Sequence, residues 1–198
     1  MPRTEEANQQ IREERYQQIL MAALKIFAHK GLTDTRIADI AAATGMSQGL
    51  IYRYFASKEE VFATLVGGVL QLTLDMARQA AALPGGALEK MRWLTTQLLP
   101  YQYEQPEGVL LLIHAMVNEA VPSNIRQASI EYSAEIQGVI QGIIAQGQAE
   151  GVFRQDSPVR LTVLYLATFQ GLATARGFIA QTPESLPDVE ALLQFLRP

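Results

Sequence analysis

The segment Thr35 to Lys58, TRIADIAAATGMSQGLIYRYFASK, decides the fold. Ile37, Ile40 and Ala41 fall at the spacing of one helical face, and Gly45 ends that helix because glycine reaches the left-handed conformation at little steric cost. Ser47 opens a second helix, its hydroxyl placed to accept a bond from an orphan amide of the first turn. Ile51 and Phe55, at i and i+4, turn one stripe inward and leave Gln48, Tyr52, Arg53 and Tyr54 on the free face. Two short helices joined by a short glycine-containing turn form the helix-turn-helix layout, whose second helix enters the major groove of DNA.

Outward from this segment the pattern stays helical. Tyr16, Ile19, Leu20, Ala23 and Phe27 keep a period near 3.6 and predict a first helix over Arg12 to Lys30, with Lys30 and Gly31 as its stop. His29, near that end, suits the helix dipole. Ser57 and Glu60 form a capping box that starts a long fourth helix, running about 35 to 40 Å to the break Pro84-Gly85-Gly86. Helical patterns recur in GALEKMRWLTTQLLPYQYEQ, PEGVLLLIHAMVNEAV, SNIRQASIEYSAEIQGVIQGIIAQGQAEG, SPVRLTVLYLATFQGLATARGFIAQ and DVEALLQFL. Pro84, Pro100, Pro106, Pro122, Pro158, Pro183 and Pro187 are expected as breaks or first-turn residues. The expected fold is all-α, with a small N-terminal domain (12–73) joined by a long helix to a larger one (74–198).

Composition narrows the function. At 198 residues, 48% of them hydrophobic, the chain can bury one good core or two small ones. The absence of cysteine removes disulfides, thiolate metal sites and thiol catalysis together. The polar N-terminus MPRTEEANQQIREER lacks the apolar core of a signal peptide, and no apolar run approaches membrane-spanning length, so a soluble cytoplasmic protein is expected. A net charge of −4 hides an uneven distribution: Lys25 to Lys58 carries five positive and two negative residues, whereas residue 61 onwards carries eight and twelve.

Residues 12 to 73 resemble the DNA-binding domain of the TetR family of transcriptional regulators. The resemblance is carried by Ile19-Leu20, Ala22-Ala23, Phe27, Gly31, Thr35, Ile40-Ala41, Gly45, Ser47, Gly49, Ile51-Tyr52, Tyr54-Phe55, Lys58 and Phe62, matched without a gap. It implies a homodimer with two reading heads, each placing its third helix in the major groove of double-stranded operator DNA. Carried over by position, Thr35, Arg36, Tyr52, Tyr54 and Lys58 would meet phosphates, and Ser47, Gln48, Gly49 and Arg53 would lie nearest base edges. The chemistry agrees, since hydroxyls, ammonium groups and helix N-terminal amides position the backbone, while Gln and Arg can make bidentate base contacts. Arg36 stands where the family often has threonine and Arg53 where it often has histidine, so the operator sequence is not inherited from a relative. Each residue has a plainer reading: Tyr54 as packing, Lys58 as a solvated first-turn lysine, Gly49 as room for a neighbouring helix.

GMSQG at Gly45 to Gly49 matches G-x-S-x-G, and Asp75 and His114 follow in hydrolase order. A nucleophile elbow needs a strained turn between strand and helix beside a sheet, so Ser47 is read as a helix cap and no enzyme activity is expected. His29 and His114 have no second histidine at ligand spacing; neither metal nor cofactor is expected.

The resemblance further implies a small-molecule effector site and a dimer interface in residues 74–198. Trp93, Tyr101, Tyr103, His114, Asn118, Glu119, Tyr132, Tyr165 and Phe169 are candidate pocket residues, since pockets are mostly apolar with a few polar groups. Glu119 near aromatics would suit a cationic ligand. The family's interface is built from the last two helices, here about 157 to 182 and 187 to 197. Ala167, Gly171 and Ala175, flanked by Leu164, Leu172 and Phe178, form a small-residue stripe for it, with packing inside the subunit as the competing reading. Gly138, Gly142, Gly147 and Gly151 are expected to permit close helix contacts or bending; the glutamines among them oppose a bilayer setting. The expected function is a ligand-released repressor, the alternatives being an activator, or a helical small-molecule carrier or interaction module without DNA binding.

Overall fold

The computed structural model describes residues 5–175 and 187–198, and among them every regular element is helical. The first, α1 (Glu5–Asp34), starts well before the expected Arg12. Residues 5–11, EEANQQI, are mostly good helix formers, and Glu5 and Glu6 lie in the first turn, where carboxylates suit the positive end of the dipole. The helical path breaks at Gly31 (φ 72, ψ 179), so the Lys30-Gly31 stop is real although one more turn follows it. Then come α2 (Ile37–Thr44), α3 (Gln48–Ile51), α4 (Lys58–Ala82), α5 (Ala87–Tyr103), α6 (Glu107–Val117), α7 (Ser123–Ala149), α8 (Pro158–Ala175) and α9 (Val189–Leu193), the last running into a 3₁₀ turn over Gln194–Leu196.

At the N-terminal end, α1, α2 and α4 close around Ile19, Ala23, Phe27, Ile40, Ile51 and Phe62, none of which is exposed. Phe27 and Phe62 meet edge to face at 5.2 Å, and Tyr16 stacks on Phe55 at 5.2 Å. Burial of such side chains contributes about 1.5 to 3 kcal/mol each, enough to fix the short α3, which by length could not stand alone.

The long helix α4 is the spine. Ser57 Oγ accepts the Glu60 amide at 3.1 Å, and the Glu60 carboxylate accepts the Ala56 amide at 2.5 Å, one residue ahead of the cap. From there α4 rises about 37 Å, with Val61, Phe62, Leu65, Val66, Leu70, Leu74, Ala77 and Ala80 buried against α1, α5, α6 and α7. An 18-residue window of α4 reaches a mean hydropathy of 1.3, which makes the helix long and apolar enough by composition to cross a membrane, although Thr64, Gln71, Thr73 and Asp75 keep it from being an uninterrupted apolar run.

Two details of the C-terminal half also depart from expectation. Pro100 lies inside α5, not at a break, and sits in its last turn where its missing N–H costs a single bond. A Cβ on Gly138 or Gly142 would meet nothing within 4 Å, so neither allows close packing; at Gly147 it would fall 2.0 Å from the Phe153 ring, and there glycine is required.

Candidate nucleic-acid interface and effector cavity

The reading head is built from its caps inward. The Asp39 carboxylate accepts the Arg36 amide at 2.9 Å and pairs with Lys30 at 3.4 Å, which fixes the start of α2. That amide bond, helped by Lys30, holds the Asp39 carboxyl below its ordinary value. At the other end Gly45 (φ 68, ψ 16) closes α2, with Met46 N–H on the Ala41 carbonyl at 3.1 Å and Gly45 N–H on that of Ala42 at 3.4 Å. This is the Schellman arrangement, and it aims the chain into α3. Ser47 Oγ then accepts the Leu50 amide at 3.2 Å, so the hydroxyl is a cap, as expected. Beyond Ile51 the helical bonding tightens, with Arg53 N–H on Leu50 O at 3.2 Å and Tyr54 N–H on Ile51 O at 2.9 Å.

With Ile51 and Phe55 in the core, the outward face presents Gln48, Gly49, Tyr52 and Arg53, all exposed, with Tyr54 half-buried beside them. A Cβ on Gly49 would meet nothing within 4 Å. No neighbouring helix needs that glycine, and the plainer reading of it falls. Arg36 is exposed at the head of α2.

Two residues expected at phosphates are committed within the protein. Thr35 is fully buried, and its Oγ1 donates to the Gly31 carbonyl at 2.7 Å. The Lys58 ammonium donates to the carbonyls of Leu32 at 2.8 Å, Thr33 at 3.1 Å and Thr35 at 2.9 Å. An ammonium has three protons, so Lys58 is saturated. Both side chains tie off the carbonyls left open where α1 breaks at Gly31. The triad pattern also dissolves: Ser47 is a cap, Asp75 accepts from Gln71 at 2.8 Å, and His114 Nε2 lies 3.2 Å from the Ala28 carbonyl.

In the C-terminal half, α4, α5, α6, α7 and α8 enclose a cavity of about 160 Å³, walled by Leu70, Leu98, Val109, Leu112, Met116, Ile136, Leu166 and Phe169, with Thr73, Ser129, Ser133, Gln137 and Gln170 as its polar groups. Among the described residues no charged side chain lines it. Thr73, Leu98, Val109 and Leu112 are shared with an open groove of about 490 Å³ that carries Tyr101, Lys25, Glu104 and Glu107.

Of the nine expected pocket residues, Phe169 lines the cavity and Tyr101 the groove. Tyr165 packs behind Phe169, edge to face at 4.9 Å, with its hydroxyl 3.0 Å from Thr95 Oγ1; burial pushes that phenol far up. Tyr103 donates to the Pro187 carbonyl at 2.8 Å, and Trp93 and Tyr132 pack against the core. His114 and Asn118 face α1 instead, His114 at Ala28 and Asn118 Nδ2 at 3.5 Å from Thr33 Oγ1. Glu119 is exposed past the end of α6, which stops at Val117, and it lines neither the cavity nor the groove. Sequence reasoning missed the aliphatic walls, since a cavity leucine and a core leucine have the same periodicity. It also missed Arg12 and Arg15, which with Asn8, Ile11, Leu50, Arg53 and Tyr54 line a groove of about 460 Å³ beside α3. Their i and i+3 spacing was the available signal.

On α8, Val159, Val163 and Leu164 are exposed, as are Ala167 and Gly171. Among the described residues nothing covers Ala167 and Gly171, while Ala175 is half-buried; the continuation of the stripe, with Phe178, lies outside the described residues.

A capped helix-turn-helix with an outward polar face, mounted on a helical body that holds an apolar cavity, defines a DNA-binding transcriptional regulator. The chain belongs to the TetR family: residues 19–65 match the model of the bacterial regulatory proteins of the tetR family. It is 30% identical over 158 residues to the HTH-type transcriptional repressor NicS of Pseudomonas putida, covering 76% of this chain and 71% of that one. Its fold is shared with the MbdR regulator from Azoarcus sp. CIB (TM-score 0.75, 28% identity, 92% and 94% of the two chains). AibR, solved with isovaleryl coenzyme A and operator DNA, superposes with a TM-score of 0.73 at 16% identity over 91% and 94%.

Proposed function

We propose that this protein is a dimeric, cytoplasmic, ligand-released repressor that reads its operator with Gln48 and Arg53. The observation that carries this is the outward set Gln48, Gly49, Tyr52 and Arg53 on a head whose core side chains Ile19, Phe27, Ile40, Ile51 and Phe62 are buried. Gln48 and Arg53 have the amide and guanidinium chemistry of bidentate base readout; Arg36, Tyr52 and Tyr54 supply phosphate donors; Gly49 leaves room for the DNA surface to approach. The apolar face of α8 pairs with its copy, setting the two heads a helical turn or a multiple of it apart.

The effector enters the uncharged cavity. Its walls fit a neutral, largely apolar ligand with one or two hydrogen-bonding groups, since an ion there would lose hydration without a partner. Release follows from α6, whose Leu112 and Met116 line the cavity while His114 and Asn118 touch α1 at Ala28 and Thr33. A ligand that displaces α6 shifts the end of α1, and with it the Lys58 anchor that holds α2. Binding of duplex from the chain's own upstream region tests the reading: Gln48→Ala should erase the preference over random duplex, and equal affinity of the wild-type protein for both would overturn it.

A further inference from the structure

The N-terminal part of α1 runs about four turns ahead of Ile19, where the family match begins. On these turns Asn8, Arg12 and Arg15 stand at i, i+4 and i+7, one face of the helix, and that face lines one side of a groove whose other side carries Leu50 of α3. Together with Arg53 and Tyr54 they line the groove of about 460 Å³. Among the described residues the groove thus gathers three guanidinium groups and no carboxylate.

Of the acidic residues of the same turns, Glu13 accepts from Gln17 at 2.8 Å and lines an adjoining recess with Arg12, Tyr16 and Tyr54, while Glu14 accepts from Gln10 at 3.2 Å along the helix; neither they nor Glu5 and Glu6 line the groove itself. Among the described residues none of Arg12, Arg15 and Arg53 has an ion-pair partner. Three like charges held in one concavity repel, and an anion that enters relieves the repulsion. The planar fork of arginine matches a phosphate bidentately, and the Tyr54 hydroxyl and the Asn8 amide add neutral donors. Arg53 belongs both to this groove and to the face that reads DNA, so the anion within reach is the phosphodiester backbone flanking the bases under α3.

We infer that the N-terminal turns of α1 form a second phosphate-holding arm, in which Arg12 and Arg15 grip the DNA backbone beside the recognition helix and lengthen each head's footprint. The inference rests on the DNA-binding reading above. Phosphate contacts carry no base information, so the arm raises affinity for every duplex alike.

The test measures fluorescence anisotropy of the full-length protein with its upstream duplex and a random duplex of equal length, between 50 and 200 mM salt. Arg12→Gln with Arg15→Gln should weaken both duplexes by the same factor and lower the slope of log affinity against log salt by about 1 to 2 per head. Arg12→Lys with Arg15→Lys should keep most of the slope. Arg78→Gln with Arg160→Gln, which removes equal charge far from the head, should leave it unchanged. An unaltered slope in the Arg12/Arg15 glutamine variant, beside a Gln48→Ala variant that loses operator preference, overturns the arm and leaves the reading standing. Failure of the wild-type protein to bind duplex in a salt-dependent way overturns both.

Discussion

Lys58 Nζ lies 2.8 Å from the carbonyl oxygen of Leu32, joining the start of α4 to the break of α1 across 26 residues of sequence. With its bonds to Thr33 and Thr35 it closes the loop that carries α2, so its position governs where the reading head points. Lys58→Met keeps the stem and removes three charge-assisted bonds. Urea unfolding should show a loss of about 2 kcal/mol or more, with the salt slope of DNA binding unchanged in the fraction that remains folded. A direct phosphate contact would give the reverse pattern: full stability and a reduced slope.

Gly45 is the second fixed point of the head. At φ 68 it occupies the left-handed region, and among the described residues nothing beyond its own chain neighbours lies within 4 Å of the place a Cβ would take. The cost of Gly45→Ala is therefore conformational alone, about 1 to 2 kcal/mol, read as a lowered urea midpoint. A neutral or stabilising result would show that the turn is free to relax.

The proposed dimer face makes a separate prediction. Val163 is 53% exposed and Leu164 48%, on an α8 surface with nothing over it among the described residues. Leu164→Glu places a carboxylate where two copies would meet, and burying it without a partner is costly. Sedimentation should show a monomer at micromolar concentration where the wild type sediments as a dimer, with operator affinity reduced and the helical circular dichroism signal intact.

The head was legible in the sequence because its constraints are local. Gly45, Ser47 and Ser57 act on neighbours within a few residues, and the stripe of Ile51 and Phe55 follows from period alone. The intramolecular bonds of Lys58 and Thr35 were not legible, because their partners lie where α1 breaks, at a distance that spacing does not report. In the body, helix order and the caps at Pro106, Pro122 and Pro158 were readable, yet only Phe169 and Tyr101 of nine pocket candidates reach a cavity wall. Aromatic and polar residues attract notice in a sequence, whereas this cavity is defined mainly by aliphatic side chains that fail to meet. His114 and Asn118 are a different case: they face α1 rather than the cavity, a choice of helix face set by tertiary packing.

Cavity filling separates effector response from DNA binding. Ser133 lines the cavity of about 160 Å³ at the α7 wall, and Ser133→Phe adds a ring to that space. With phenol as a neutral probe at millimolar concentration, the wild-type protein should show a raised Tm by mass action, and Ser133→Phe should show none while holding operator duplex at wild-type affinity. A retained phenol shift in the filled variant would place the binding site elsewhere.

Asp39 gives the head a defined acid limb. Its carboxyl is held below the ordinary value of 3.8, first by the Arg36 amide and then by Lys30. A depressed carboxyl in the folded state contributes stability that is complete above the unfolded value and is lost as pH falls through the folded one. The contribution is therefore constant at neutral pH and fades only below about 3.8. Asp39→Asn keeps an acceptor for the Arg36 amide but cannot titrate, and it loses the attraction to Lys30. Urea midpoints measured from pH 7 down to pH 3 should differ most between wild type and Asp39→Asn at the upper end, with wild type the more stable, and should converge at the lower end as Asp39 takes up its proton. A gap that stays constant through the acid range would show that the cap works through its hydrogen bond alone, with the carboxylate charge contributing nothing to α2.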